Sequence, residues 1–147
     1  MNKQFTVLSL NLSTKKGEKK IPVDHVELRV NHGIVGDAHA GDWHRQISML
    51  ADEDIDSMRD RGVDLHFGDF AENITTRGIA LAQLPIGTRL VIGDTELEVT
   101  QIGKECHQGC AIRRQVGDCV MPRMGIFCKV ISGGSLRRED TGFAVSE

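Results

Sequence analysis

Short runs in which apolar and polar side chains alternate recur along this chain. They predict strands, whose successive side chains point to opposite faces. Residues 5–11 alternate and are rich in β-formers, so they read as a first strand. Residues 21–23 resume an extended path, because Pro22 restricts Ile21 to β or polyproline geometry. Residues 25–30 put Val26, Leu28 and Val30 on one face, and residues 46–50 form another strand. Residues 89–92 and 96–102 pair as a hairpin through Gly93, Asp94 and Thr95. Residues 126–131 are a late strand, residues 132–135 turn, and residues 143–145 close the sheet. One segment has helical spacing: residues 53–61, with Ile55 and Met58 on a buried face, Asp52 as the cap and Gly62 as the terminator. Seven or more short strands, one good helix and no alternating strand–helix pattern predict a mostly β fold. The expected architecture is a closed or half-closed β-barrel with a few short helices.

Composition narrows this picture. A chain of 147 residues suits one domain spanning 1–147, with enough interior for a hydrophobic core. Apolar content of 39% and charged content of 27% argue against disorder. The net charge of −3 disfavours a nucleic-acid partner. Lys15, Lys16, Lys19 and Lys20 cluster, but Glu18 interrupts them, and a solvated loop is the expected state. The start of the chain has no charged region followed by an apolar core, so no signal peptide is expected. No stretch approaches the roughly 20 apolar residues of a membrane helix. A cytoplasmic location is therefore expected, where four cysteines act as thiols or ligands and not as disulfides.

Three polar loops hold the candidate chemistry. Residues 31–45 contain Gly33, Gly36 and Gly41, two aspartates, His32, His39 and His44, Arg45 and the sole tryptophan, Trp43. Such density is hard to explain by packing. The glycines let backbone amides converge on an anion, with His39 and Arg45 adding donors or charge. His39 and His44 also read as a metal pair, though less naturally. Residues 65–78 contain Gly68 and Asp69 followed by Glu72 and Asn73, which either order their own turn or meet the donors of a heterocycle. Residues 104–112 contain Cys106, His107 and Cys110 directly after a clear strand. Their spacing is not that of a zinc ribbon, and no second pair completes four ligands. Each of these cysteines is either a small buried hydrophobe or a thiolate that ligates a soft metal or carries sulfur. Lys104, Arg113 and Arg114 favour the thiolate form. Cys119 shares that possibility, whereas Cys128 alternates within an apolar strand and reads as structural.

Several motifs, in order, resemble the MOSC domain family, the module named for the C-terminal part of molybdenum cofactor sulfurases. They are Gly33-Ile34-Val35-Gly36-Asp37-Ala38-His39 with Arg45-Gln46-Ile47-Ser48, then Gly68-Asp69-Phe70-Ala71-Glu72-Asn73-Ile74-Thr75, then Leu84-Pro85-Ile86-Gly87-Thr88-Arg89-Leu90, and Leu97-Glu98-Val99-Thr100-Gln101-Ile102-Gly103 leading into the cysteine loop. The resemblance covers nearly the whole chain and implies a barrel-like fold with a few helices. It also implies a role with the molybdenum cofactor: binding molybdopterin, or carrying sulfur to molybdenum on a cysteine. Carried over by position, Cys110 is the molybdenum ligand or sulfur carrier, because an apolar pair follows it as in the family's pattern. Many relatives have Arg-Cys or Pro-Cys where this chain has Gly109-Cys110, and Cys119 and Cys106 remain alternatives for the catalytic thiol. Gly36, Asp37, His39 and Arg45 are then expected to hold the pterin phosphate, and Glu72 and Asn73 to meet the pterin's polar groups.

The chain lacks the pyridoxal-phosphate desulfurase domain of the sulfurases and the extra N-terminal barrel of the larger molybdenum reductases, so the resemblance is to a stand-alone version. The expectation is a molybdopterin-binding protein in sulfur transfer or cofactor handling. Its expected partners are a molybdenum cofactor biosynthesis protein or a cysteine desulfurase. Two alternatives stand beside it: a molybdoenzyme that reduces N-hydroxylated compounds with an external electron donor, and a non-catalytic module that senses the cofactor.

Overall fold

A computed structural model describes residues 2–15, 19–103 and 124–145. The alternating runs become strands β1 (Asn2–Leu12), β2 (Ile21–Val23), β3 (His25–Arg29), β4 (Gly33–Ile34), β5 (Ile47–Ala51), β6 (Ile74–Arg77), β7 (Arg89–Ile92), β8 (Thr95–Ile102), β9 (Ile126–Ser132), β10 (Gly134–Arg137) and β11 (Thr141–Val145). One α-helix, α1 (Asp52–Arg59), lies between β5 and β6, and a 3-10 turn covers Leu81–Gln83. In the main sheet the order is β11-β7-β8-β9-β5-β6-β1-β2, and β1 also pairs with β11. Seven strands therefore close a mostly β barrel, and β2 hangs on β1 outside the ring. Closure leaves the seven ring strands without a free edge. A small sheet of β10, β3 and β4 completes the architecture.

Register follows the hydrophobic pattern. In β8, Thr95, Leu97 and Val99 are buried while Glu96, Glu98 and Thr100 are partly exposed. Leu97 and Val99 pack with Phe5, Val7, Leu10, Ile47, Met49, Leu90, Ile126 and Val130 inside the barrel. All five residues of β5 are buried because the strand is covered on both faces. Ile47, Met49 and Ala51 face the barrel interior, whereas Leu50 packs with Ile55, Met58, Leu65, Phe70 and Phe127 in a second cluster beside α1. A strand covered on both sides reads as an unbroken apolar run, as residues 47–51 do.

Four expectations need correction. β4 lies inside the expected 31–45 loop, and β6 lies inside the expected 65–78 loop. The Thr75 and Thr76 side chains look polar in sequence, yet both are fully buried and pair with β1 and β5. Residues 132–135 were expected to turn, but β10 begins at Gly134 and pairs with β3. Asp52 is the first helical residue and not the cap, since Ala51 occupies that position without a side-chain bond. The Asp52 carboxylate is drawn away by Arg59 at 2.8 Å and Arg77 at 2.6 Å. Gly62, at φ +88°, does close the helical segment as expected.

Candidate functional site at the barrel mouth

At one end of the barrel β8 stops and β9 starts. Ile102 pairs with Ile126, and the Gly103 amide donates to the Gly125 carbonyl at 2.7 Å. Residues 104–123 connect these two strands, so chain continuity alone ties both ends of that segment to this mouth. Cys106, Cys110 and Cys119, the three candidate thiols, lie outside the described residues.

The loop between β4 and β5 is fastened to the same end. Gln101 Oε1 accepts from Arg45 Nε at 3.1 Å and meets His44 Nε2 at 2.9 Å. The other half of the Gln101 amide donates to the Gly103 carbonyl at 2.7 Å. The Thr100 hydroxyl lies against the carbonyls of both His44 and Phe127. The Arg45 guanidinium sits 5.2 Å from the centre of the Phe127 ring, within cation–π range. Arg45 is thus half-buried and held from two sides, so its charge is fixed beside Gln101 and Phe127.

The same loop is organised from inside by Asp37. Its Oδ1 accepts from the Ser13 amide at 3.1 Å and from Lys20 Nζ at 2.8 Å, and its Oδ2 accepts from the His39 amide at 3.0 Å. Both partners of the Lys20–Asp37 ion pair have no exposed side-chain surface. Burial pushes the Asp37 carboxyl up, but the Lys20 ammonium and the two amides overcome it and hold the group below its ordinary value. Lys20 Nζ also lies 3.3 Å from Ser13 Oγ and 3.0 Å from His39 Nδ1. The basic cluster was expected to be solvated throughout. Lys19 is exposed, but Lys20 is 1% exposed, because Asp37 draws it inward. Asp37 therefore orders the loop and is not itself presented to a ligand. Gly36, by contrast, is exposed at φ +90°, and a side chain built there meets nothing within 4 Å. Its glycine identity serves the backbone, and the space where a side chain would sit is open.

Glu72 and Asn73 have a different employment from the one expected. Both are 0% exposed. Asn73 Oδ1 accepts from the Ser48 amide at 2.9 Å, and Asn73 Nδ2 donates to the Asn11 carbonyl at 3.1 Å. Glu72 accepts from the Phe70 amide at 3.2 Å and the Thr75 hydroxyl at 2.8 Å. Asn11 Nδ2 completes the knot by donating to the Glu72 carbonyl and to Thr75 Oγ1. Burial pushes the Glu72 carboxyl above its ordinary value despite these donors. These side chains spend their bonds joining β1, β5 and β6. Gly68 joins the two regions: its carbonyl accepts from the Lys20 amide at 3.0 Å, and a Cβ there would sit 2.1 Å from the Lys20 carbonyl oxygen.

Cys128 is structural, as its strand position suggested. It is fully buried beside Met49, with sulfurs 3.7 Å apart, and burial pushes its thiol up, away from the thiolate form. Among the described residues no group of three or more His, Cys, Asp or Glu is placed to hold a metal ion. A cleft of about 310 Å³ lined by Ala51, Glu53, Asp54, Gly78, Ile79 and Ala80 contains none of the mouth residues. Sequence reasoning missed Lys20, Ser13, Thr100 and Gln101. Each is polar within a segment with an adequate bland explanation, and only the contacts across 17 to 57 positions reveal their part.

The barrel and its loops match known proteins. The MOSC domain model matches residues 36–141, and the chain belongs to the MOSC domain family. MOSC domains are associated in general with the molybdenum cofactor. The fold is similar to the crystal structure of the YUAD protein from Bacillus subtilis, with TM-score 0.83 and 18% identity, covering 100% of this chain and 99% of that one. It is also similar to YiiM from Geobacillus stearothermophilus, with TM-score 0.71 and 17% identity over 97% of this chain and 75% of that one. YiiM from Escherichia coli aligns with TM-score 0.66 and 18% identity over 100% of this chain and 71% of that one. At these identities the likeness concerns the fold. No curated protein matches the chain. Among the described residues no helix is long and apolar enough to cross a membrane.

Proposed function

We propose that this MOSC protein binds the molybdenum cofactor at the barrel mouth and handles its sulfur through a cysteine thiolate, with Cys110 the first candidate and Cys119 and Cys106 behind it. One observation carries the reading: the loop bearing Gly36, His39 and Arg45 is tied through Gln101 to the end of β8 from which the cysteine segment departs. The donor set fits the anionic end of such a cofactor. Arg45 supplies a held positive charge, His39 a ring nitrogen, and Gly36 an exposed backbone at positive φ. The metal contact falls to a thiol, since soft ligands suit a metal already in a sulfur-rich shell. Glu72 and Asn73 support the mouth through the β1–β5–β6 knot. In sulfur transfer, the Cys110 thiolate attacks the outer sulfur of a donor persulfide. The S–S bond breaks, the donor leaves as a thiolate, and Cys110 keeps the sulfur as a persulfide with no net oxidation. A cysteine desulfurase is the chemical class that supplies such a donor.

Protein made in a cofactor-competent host should retain molybdopterin, and Arg45→Ala should retain several-fold less. Mass spectrometry after exposure to a desulfurase and cysteine should find persulfide on one of the three candidate thiols. Persulfide on none of them, together with molybdopterin retention that Cys110→Ala leaves unchanged, would sink the sulfur-handling role.

A further inference from the structure

The Lys20 ammonium is fully engaged, with three protons and three acceptors around it. Asp37 Oδ1 is at 2.8 Å, His39 Nδ1 at 3.0 Å and Ser13 Oγ at 3.3 Å. Ser13 spends its own hydroxyl proton on the Lys15 carbonyl at 3.2 Å, so its oxygen lone pairs are left to accept. An ammonium donates and never accepts. The Asp37 carboxylate, buried against it, keeps the ion pair charged, since a lone buried carboxylate would be costly. His39 Nδ1 must then be the acceptor, and the ring proton must be on Nε2.

We infer that Lys20 is a positioning residue for His39: the Lys20–Asp37 pair fixes the imidazole as the neutral Nε2–H tautomer, so that Nε2 carries a proton and not a metal-binding lone pair. A histidine binds metal through a nitrogen lone pair, while its other nitrogen usually donates to a carboxylate or carbonyl. Here the Nδ1 lone pair is taken by the Lys20 N–H, and the Nε2 lone pair is taken by the proton. Metal binding through Nε2 would leave an imidazolate. The two chemistries open to a His39–His44 pair in the sequence therefore reduce to one at His39. The His39 ring is partly exposed and its amide is held by Asp37 Oδ2, so the ion pair orients the backbone through Asp37 and the ring through Lys20. The use of this donor for the cofactor's phosphate rests on the proposed function, whereas the ring's protonation state does not.

The test is long-range proton–nitrogen correlation NMR on the full chain labelled at histidine nitrogen, read at neutral pH. His39 Nδ1 should resonate as an unprotonated ring nitrogen and Nε2 as a protonated one. Lys20→Met combined with Asp37→Asn keeps the cluster neutral so that the barrel still forms, and should shift both nitrogens toward a mixed-tautomer average. A wild-type ring with the proton on Nδ1 overturns the inference, and so does a double variant with unchanged resonances. Added Zn²⁺ should leave the His39 signals in place, and loss of the Nε2 proton to zinc also overturns it. Inorganic phosphate should shift the Nε2–H signal. If the tautomer is as stated and phosphate does nothing, the anion role in the proposed function fails while the positioning role of Lys20 stands.

Discussion

Asp37 and Glu72 are two carboxylates shut away from water beside polar loops of the same barrel, and they reach opposite electrostatic states. Asp37 faces the Lys20 ammonium and lies below its ordinary value. Glu72 is met by a hydroxyl and backbone amides, none carrying a full charge, and lies above it. The difference teaches that hydrogen bonds alone do not offset the loss of water around a buried charge, whereas a cation in contact does. It also separates two kinds of work. The Asp37 cluster sets the conformation of a loop that faces solvent. The Glu72–Asn73 knot joins strands and has no outward face. Similar residue types in similar glycine-bearing loops therefore serve the candidate site in one case and the scaffold in the other.

The comparison can be broken most forcefully at Lys20. Lys20→Met strands the Asp37 charge, and urea unfolding should show a loss of about 3–5 kcal/mol. Adding Asp37→Asn should return a good part of it, because the neutral cluster no longer buries an unpaired charge. A single variant as stable as the wild type would mean that water reaches Asp37. The scaffold side yields to Asn73→Ala, which leaves the Ser48 amide and the Asn11 carbonyl without their partner. The expected cost is about 2–3 kcal/mol in the same assay, with His39 ring signals unmoved.

The signs of the two carboxyls give a sharper contrast. Asp37 is depressed, so its contribution is present above its ordinary value of 3.8 and is lost as pH falls through the lower folded value. Glu72 is elevated, so the folded state prefers its proton. Its contribution is full below the ordinary value of 4.5 and is lost as pH rises through the higher folded value. Stability measured against pH should show Glu72→Gln gaining on the wild type as pH climbs above 4.5, whereas Asp37→Asn should fall behind it most at neutral pH. Parallel profiles for the two variants would erase the distinction. The smallest effect is expected at a surface control. Arg89 bridges Glu96 and Glu98 at 2.7 and 3.1 Å in partly exposed positions, and Arg89→Ala should cost under about 1 kcal/mol and less in high salt.

Periodicity alone made the barrel legible. A two-residue repeat in β1, β3 and β8, broken by turn residues, requires strands with one buried face, and many such strands with little helical spacing leave few architectures. The loops around His39 and Glu72 were legible as unusual because their polar density exceeds what packing needs. Their division of labour was not, since it depends on which groups lie opposite. Nothing local marks Lys20 as buried while Lys15 and Lys19 are exposed. Asp37, seventeen positions on, draws it inside. Nothing local marks Asn73 as a strand fastener, because its partners are Ser48 and Asn11 on two other strands. The missed strands β6 and β10 have the same cause, as buried threonines and a glycine-led strand look like loop until their neighbours are in place. Local pattern records the backbone's period and which side of an element is apolar. A side chain's charge state, tautomer and task are set by the groups that surround it, and in this barrel those come from far along the chain.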